Sequence, residues 1–390
     1  MKSNLCIILG SGFSKPAGLL LAYEIDAIFN RNNVGNLLQF SSGEWKWLDT
    51  ASDADRTNGS FGFHHIAYGY ILNELVDSFI KENASFTNYE EFYQFVIDGI
   101  KNKSFIELIC KNALKNSKKE NIIIKDSESY ENYIYAFNHP DSNEILNMLN
   151  YLIDDLLYWH QPFENFEYQY LPFLSFIKAF KRTNIITLNH DFLLEALFQK
   201  HNIEYSDGFS KVNSPLQSEK GEKILTFNGN FLGKTALIKL HGSIDLYKYI
   251  VSNQKETLLT PTGEYIYFKT HNYYDKHTPI RVNPETNEVV QSFHWNITPQ
   301  FITGTRKNEI ITHDYMYSKL YSEFKKRIHN SDVLLIIGYS YGDEHVNNQI
   351  KSAIKKATIN TIINVNPLMV FPFDKNNSKV INYKSILEIN

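Results

Sequence analysis

The sequence predicts an α/β protein: a Rossmann-like parallel sheet carrying a large helical insertion and a smaller second insert. Two observations predict it. Five short apolar runs lack the alternation of a half-exposed strand, so each suits a strand buried on both faces. Every one of them stops at glycine or polar residues, and helical periodicity follows several, which is the strand–site–helix rhythm of a doubly wound fold.

The first run is Leu5–Leu9, ending at Gly10-Ser11-Gly12. From about 20 to 180 the chain reads largely as helix, because 63–81, 89–101 and 142–159 carry apolar residues at three-to-four spacing. Within that lobe, 115–131 is charged and polar apart from Ile122-Ile123-Ile124, and reads as an exposed hairpin or loop. The second run, Asn184–Leu188, ends at Asn189-His190-Asp191 and precedes a helical pattern over 192–200. The third, Ala236–Leu240, ends at His241-Gly242-Ser243. An insert over about 245–330 follows, with alternation in Glu264–Lys269 that predicts some β structure. Val333–Ile337 ends at Gly338-Tyr339-Ser340 before a helix over 346–357, and Thr361–Val365 ends at Asn366-Pro367. The layout is one nucleotide-binding domain over 1–390, with inserts at 20–180 and 245–330.

The totals exclude several classes. A net charge of -4 gives no general attraction to nucleic acid or anionic lipid, so direct nucleic-acid binding is not expected. Two cysteines, Cys6 and Cys110, build neither a disulfide framework nor a four-cysteine zinc site. His271, His277 and His294 lack a ligand-like spacing, so no metal is expected. No apolar run approaches 18 residues, and the opening run is too short for a leader, so a cytoplasmic protein without membrane segments is expected.

Polar residues just past the carboxyl ends of parallel strands stand where an open α/β sheet builds its ligand site. Gly10-Ser11-Gly12-Phe13-Ser14 is a tight turn whose backbone amides and following helix suit a diphosphate. It lacks the third glycine of the dinucleotide fingerprint and the gap of a P-loop, and an ordinary strand-to-helix turn also accounts for it. His241 can exchange protons near neutral pH, or be satisfied by backbone bonds at a turn. Asn189 and Asp191 end another strand, and Asp191 is also a plausible helix cap.

In order, Gly10-Ser11-Gly12-Phe13-Ser14, Thr187-Leu188-Asn189-His190-Asp191, His241-Gly242-Ser243, Gly338-Tyr339-Ser340 and Asn366-Pro367 resemble the signature of the sirtuin superfamily, over about half the chain. Lys15-Pro16-Ala17-Gly18, and the stretch from Gly338 to Asn347 with Ser340, Asp343, His345 and Asn347, resemble the sirtuin-like NADases of bacterial antiphage defence. The resemblance implies that NAD is the substrate and that the fold is of the sirtuin type. It implies that Asn189 positions a ribose hydroxyl or the attacking water, that His241 is the general base, and that Asp191 holds the nicotinamide carboxamide. Gly10, Ser11, Gly12 and Ser14 would bind the diphosphate, with Thr187 and Gly338 also in the NAD-binding set. Ser340 and Asn366 would contact the adenosine side, and Asp343 with His345 would brace that loop.

Two departures separate this chain from the deacetylating branch. It cannot build that branch's paired Cys-x-x-Cys zinc module, and Ala17-Gly18-Leu19-Leu20 stands where Gly-Ile-Pro-Asp-Phe-Arg would follow the glycine turn. Leu188 also replaces a frequent Gln. The expected reaction is therefore NAD hydrolysis to nicotinamide and ADP-ribose, without zinc. A protein deacylase or ADP-ribosyltransferase is one alternative, and a non-catalytic NAD or ADP-ribose sensor is another. A constitutive NADase would kill its host, so gating is expected, by homo-oligomerisation or by a partner such as a ring-forming ATPase or another sensor protein.

Overall fold

The computed structural model describes residues 3–59, 63–86, 88–119, 127–252, 261–271, 278–292, 299–301, 307–356, 358–376 and 378–389. They fall into two compact units, one formed from Met1–Gly18, Gln161–Ile302 and Arg306–Asn390, the other from Leu19–His160. His277, His294 and Ile122-Ile123-Ile124 lie outside the described residues.

The first unit is built on a parallel sheet of six strands: β1 (Asn4–Leu9), β2 (Arg182–Thr187), β3 (Thr235–Lys239), β4 (Val333–Ile337), β5 (Thr361–Val365) and β6 (Lys379–Tyr383). Their order is β6-β5-β4-β1-β2-β3, the doubly wound arrangement, and the five expected runs supply five of the six strands. Apolar residues without alternation are buried on both faces here, as in Leu5–Leu9. β6 escapes sequence reading because Lys379-Val380-Ile381-Asn382-Tyr383 is a half-exposed edge strand, its lysine blunting an open edge.

Register does the work that matters for a site. Leu9 pairs with Thr187 on one side and Ile337 on the other; Thr187 pairs with Lys239, and Ile337 with Val365. Five strands therefore end level, and the loops that follow them share one edge of the sheet. Against the sheet lies the helix Tyr315–Ile328, capped by Asp314 through the amides of Met316 and Tyr317. Its buried Met316, Leu320, Phe324 and Ile328 join Ile8, Ile186, Ile238 and Ile336 in one core. The alternating segment expected near Glu264 is part of the strand Pro261–Lys269, which pairs antiparallel with Leu246–Ser252.

In the second unit the helices Phe63–Asn83, Tyr89–Gly99 and Ser142–Leu156 arise where the apolar spacing predicts them. The expected loop over 115–131 is corrected at both ends: Lys103–Lys119 and Ser127–Asn138 are helices. Ile106, Ile109, Cys110, Ala113 and Ser117 fall on one buried face, and Lys118 and Lys119 sit favourably in the last turn. The charged residues of this stretch form the exposed face of a helix whose other face is buried. Rings of Phe29, Trp47, Phe79, Phe86 and Phe92 meet in this unit's core. Among the described residues, no helix is long and apolar enough to cross a membrane.

Candidate functional site

The loops after β1 and β4 meet backbone to backbone. The Gly10 amide donates to the Ile337 carbonyl at 3.0 Å and the Gly12 amide to the Gly338 carbonyl at 3.1 Å. A Cβ on Gly12 would lie 2.7 Å from Gly338 Cα, and one on Gly338, at φ 61°, 2.4 Å from Gly12 Cα. Only glycine on both sides permits that approach.

The helix expected to follow the turn is instead a pair of single 3₁₀ turns, Ser11–Phe13 and Lys15–Ala17, the second closed by left-handed Gly18. Three residues cannot sum a helix dipole. Phe13 and Ser14 also spend their amides inside the turn, on the carbonyls of Gly10 and Ser11. The amides of Gly10, Gly12, Phe13 and Ser14 thus all have partners within the protein, which leaves Ser11 to consider as the donor of this turn.

Ser14 is buried and links two loops. Its hydroxyl donates to Asp191 Oδ2 at 2.8 Å and accepts from Asn189 Nδ2 at 3.0 Å. Asn189 Nδ2 also donates to the Gly10 carbonyl at 3.0 Å. Because that carbonyl only accepts, the Asn189 amide has one orientation, and both its hydrogens are spent. What Asn189 offers a ligand is its oxygen. Thr187 steadies the same residue from below, its buried hydroxyl accepting the Asn189 amide at 3.1 Å.

Asp191, expected to face the substrate, is turned into the protein. Its Oδ1 accepts the Leu193 amide at 3.0 Å, at the start of the helix Leu193–Lys200, while Oδ2 holds Ser14. The capping alternative thus describes its contacts. Burial pushes its carboxyl up, against Lys239, the Leu193 amide and the Ser14 hydroxyl. Lys239 Nζ donates to the Asp191 carbonyl and to Glu195 Oε1, the latter at 3.1 Å.

His241, at the end of β3, is 4% exposed, and its Nε2 lies 3.1 Å from Asp343 Oδ2. The approach is off the line of a well-aligned hydrogen bond, so this is an ion-pair contact more than a directed bond. Asp343, expected with His345 to brace its loop, thus also meets His241. Burial works to raise the Asp343 carboxyl, but His241, Lys307 and the Val346 amide together hold it well below the usual carboxylate range. His345 is half-buried on the first turn of the helix Glu344–Lys355, and Ser340 is exposed. Asn366 is half-buried; its Nδ2 donates to the Tyr339 carbonyl at 3.1 Å and its Oδ1 accepts the Leu368 and Met369 amides, so it shapes its loop.

Sequence reasoning passed over three features. Lys239 is one: a charge inside the apolar run Ala236–Leu240 was the available signal. With Lys269 it forms a buried ion cluster, in which Lys269 Nζ reaches Asp207 at 2.9 Å and Asp245 at 4.0 Å. Tyr341, a non-glycine residue at φ 59°, is strained and held by its hydroxyl on Asn364 Oδ1 at 2.6 Å. Lys307, 3.4 Å from Asp343, has no local signal at all.

Both cysteines are buried, Cys6 in β1 and Cys110 in Lys103–Lys119, and burial pushes each thiol up to about 12. Such thiols are poor ligands and poor nucleophiles. Among the described residues, no group of three or more His, Cys, Asp or Glu side chains is arranged to hold a metal ion.

A family model described as a SIR2-like domain matches residues 183–380, just over half the chain, which includes Asn189, Asp191, His241, Asp343 and Asn366. Among solved structures, the chain is similar to a crystal structure of a SIR2 homologue–NAD complex, at 11% identity over 100% of this chain and 86% of that one, with a TM-score of 0.34. It is also similar to Sir2Tm bound to a propionylated peptide, at 12% identity over 99% and 90%, with a TM-score of 0.32. No curated protein matches the chain. On the extent of the family match, the chain belongs to the SIR2-like domain family.

Proposed function

We propose that the protein hydrolyses NAD at the nicotinamide–ribose bond, giving nicotinamide and ADP-ribose. The observation that carries this reading is an oriented amide and a buried imidazole, each just past the end of one of two adjacent strands. Asn189 follows β2 with only its amide oxygen to offer, and His241 follows β3 against an ionised Asp343. An acceptor and a base at neighbouring strand ends suit the activation of water or a ribose hydroxyl.

In this reading the bond from ribose C1′ to the nicotinamide nitrogen breaks, and its electron pair leaves with nicotinamide. Asn189 Oδ1 accepts a hydrogen bond from the water or the ribose hydroxyl. The water oxygen bonds to C1′ and its proton passes to His241. The oxocarbenium-like state gains from groups fixed beforehand, because nothing need reorganise as charge develops. Asp191 acts here through Ser14, which orients Asn189, in place of the contact with nicotinamide that the sequence implied. Ser11 and the exposed Ser340 remain candidates for the diphosphate and adenosine sides.

The reading extends to a role in antiphage defence, with NAD depletion gated by self-association or by a partner protein; the stretches Lys15–Gly18 and Gly338–Asn347 support it through resemblance alone. The test is NAD consumption by the purified protein across a range of concentrations, beside Asn189→Ala and His241→Ala. Nicotinamide release that rises steeply with protein concentration, and falls by about 10²-fold or more in each variant, is expected. Turnover unaffected by both substitutions overturns the reading. Deacylation of an acylated peptide without NAD hydrolysis would transfer the site to the deacylase class.

A further inference from the structure

The Asp343 carboxylate is fixed from several directions. Its Oδ1 accepts the Val346 amide at 3.1 Å, as the cap of the helix Glu344–Lys355. The Tyr339 hydroxyl accepts the Asp343 amide at 3.1 Å and lies 3.0 Å from its carbonyl, which pins the backbone on both sides. With Oδ1 committed to the helix, Oδ2 faces His241 Nε2 at 3.1 Å and Lys307 Nζ at 3.4 Å. A cap fixes this anion in place whether or not the imidazole is charged. Among the described residues, the titratable groups nearby include the His190 ring, 6.4 Å from that of His241, and the phenols of Tyr321 and Tyr339, which face Asp343. Burial pushes both phenols up, so they are neutral over the working range.

We propose that Asp343 is a positioning residue for His241: its fixed carboxylate holds the ring by Nε2 and stabilises the imidazolium formed when His241 takes up a proton. The proposal rests on the reading of His241 as the base of the site. Its physical ground is that a fixed opposite charge against a ring nitrogen favours the protonated imidazole and so raises its basicity. Lys307 works in the opposite sense, since it competes for the same oxygen and repels the imidazolium. The contact is an off-axis ion pair, so the carboxylate's charge matters more than its shape as an acceptor. Asparagine at position 343 would keep the helix cap and the volume while removing that charge.

The test is the titration of His241 by NMR in histidine-labelled protein, its signal assigned by loss in His241→Gln, with Asp343→Asn and Lys307→Met compared at equal folding by circular dichroism. No NAD is needed for this readout. Asp343→Asn should lower the His241 pKa by about one unit or more, the usual effect of losing an opposite charge within 4–6 Å. Lys307→Met should raise it. The acidic limb of the pH profile for nicotinamide release should move with the imidazole in each variant, with KM unchanged. An Asp343→Asn protein that folds and leaves the His241 pKa in place overturns the proposal, as does a downward shift in Lys307→Met. If the imidazole responds as expected but His241→Gln cleaves NAD at the full rate, the pairing stands and the assignment of His241 as the base falls.

Discussion

Gly12 and Gly338 bring two strand-end loops into direct backbone contact, and a methyl group added at either must push one loop off the other. Three substitutions separate the causes. Gly221→Ala tests conformation alone, since that residue is left-handed at φ 80° with nothing within 4 Å of an added Cβ. It should cost about 1–2 kcal/mol, the penalty of placing a side chain in that region. Gly12→Ala tests contact alone: its φ is not left-handed, but its Cβ would lie 2.7 Å from Gly338 Cα. Overpacking of this kind costs about 1–3 kcal/mol, here with no flexible side chain to yield. Gly338→Ala combines both, at φ 61° and 2.4 Å from the Gly12 backbone, so about 2–5 kcal/mol is expected. Urea denaturation of the three variants, with NAD cleavage measured on the folded protein, reads the difference. Gly12→Ala and Gly338→Ala should also lose activity, because the Gly10 carbonyl that orients Asn189 belongs to the displaced loop, whereas Gly221→Ala should keep it. If Gly338→Ala is no more destabilising than Gly221→Ala, the two loops do not touch as described.

Ser14→Ala removes the acceptor for the Asn189 amide and the hydroxyl donor to the buried Asp191; leaving such groups unsatisfied costs about 1–3 kcal/mol. NAD cleavage should fall with it, and a variant with unchanged stability and turnover would show that the Asp191–Ser14–Asn189 chain positions nothing. In the second unit, burial pushes the Asp26 carboxyl up to about 6 from 3.8, aided by Glu90 and Glu91 and opposed by the Tyr89 amide, which it accepts at 2.6 Å. The folded state therefore holds this proton more tightly than the unfolded chain, so wild-type stability declines as pH rises from 3.8 towards 6. Asp26→Asn keeps the acceptor and loses the charge: it should match wild type below pH 4 and exceed it at pH 7. Tryptophan fluorescence follows this unit well, since Trp45, Trp47 and Trp159 all lie in it. Equal midpoints at pH 7 would refute the assignment of a raised acid.

The sheet was legible because a strand buried on both faces leaves a mark in the sequence that little else imitates. Leu5–Leu9 and Val333–Ile337 are apolar throughout, and both are buried strands. β6 is half-exposed, and Lys379 and Asn382 interrupt its apolar residues, so it left no such mark. The residues at the strand ends were equally readable, since a polar break after an apolar run is a local signal. Their directions were not. Nothing around Asp191 says that its carboxylate turns inwards to Ser14, 177 positions away in sequence, and nothing near Asp343 names His241 as its partner. Such choices are made by register, which decides which loops stand side by side. The helix expected after Gly12 failed for a local reason: Pro16 and left-handed Gly18 fit short turns and interrupt a helix.

Register also explains why the candidate site is held as one object rather than as five loops. Asn189, after β2, is oriented by Gly10 and Ser14, which follow β1. Lys239, in β3, reaches back to the Asp191 carbonyl after β2. His241, after β3, meets Asp343 after β4, and Gly338 after β4 meets Gly12 after β1. Asn366, after β5, holds the Tyr339 carbonyl after β4. Each polar group is fixed by a neighbour from a different strand, and level strand ends make that possible. Loops are ordinarily the mobile part of such a fold. Here the contacts between them supply the rigidity that preorganised chemistry requires, and they are also why Ser14 and Asp191, which face inwards, belong to the same machinery as Asn189.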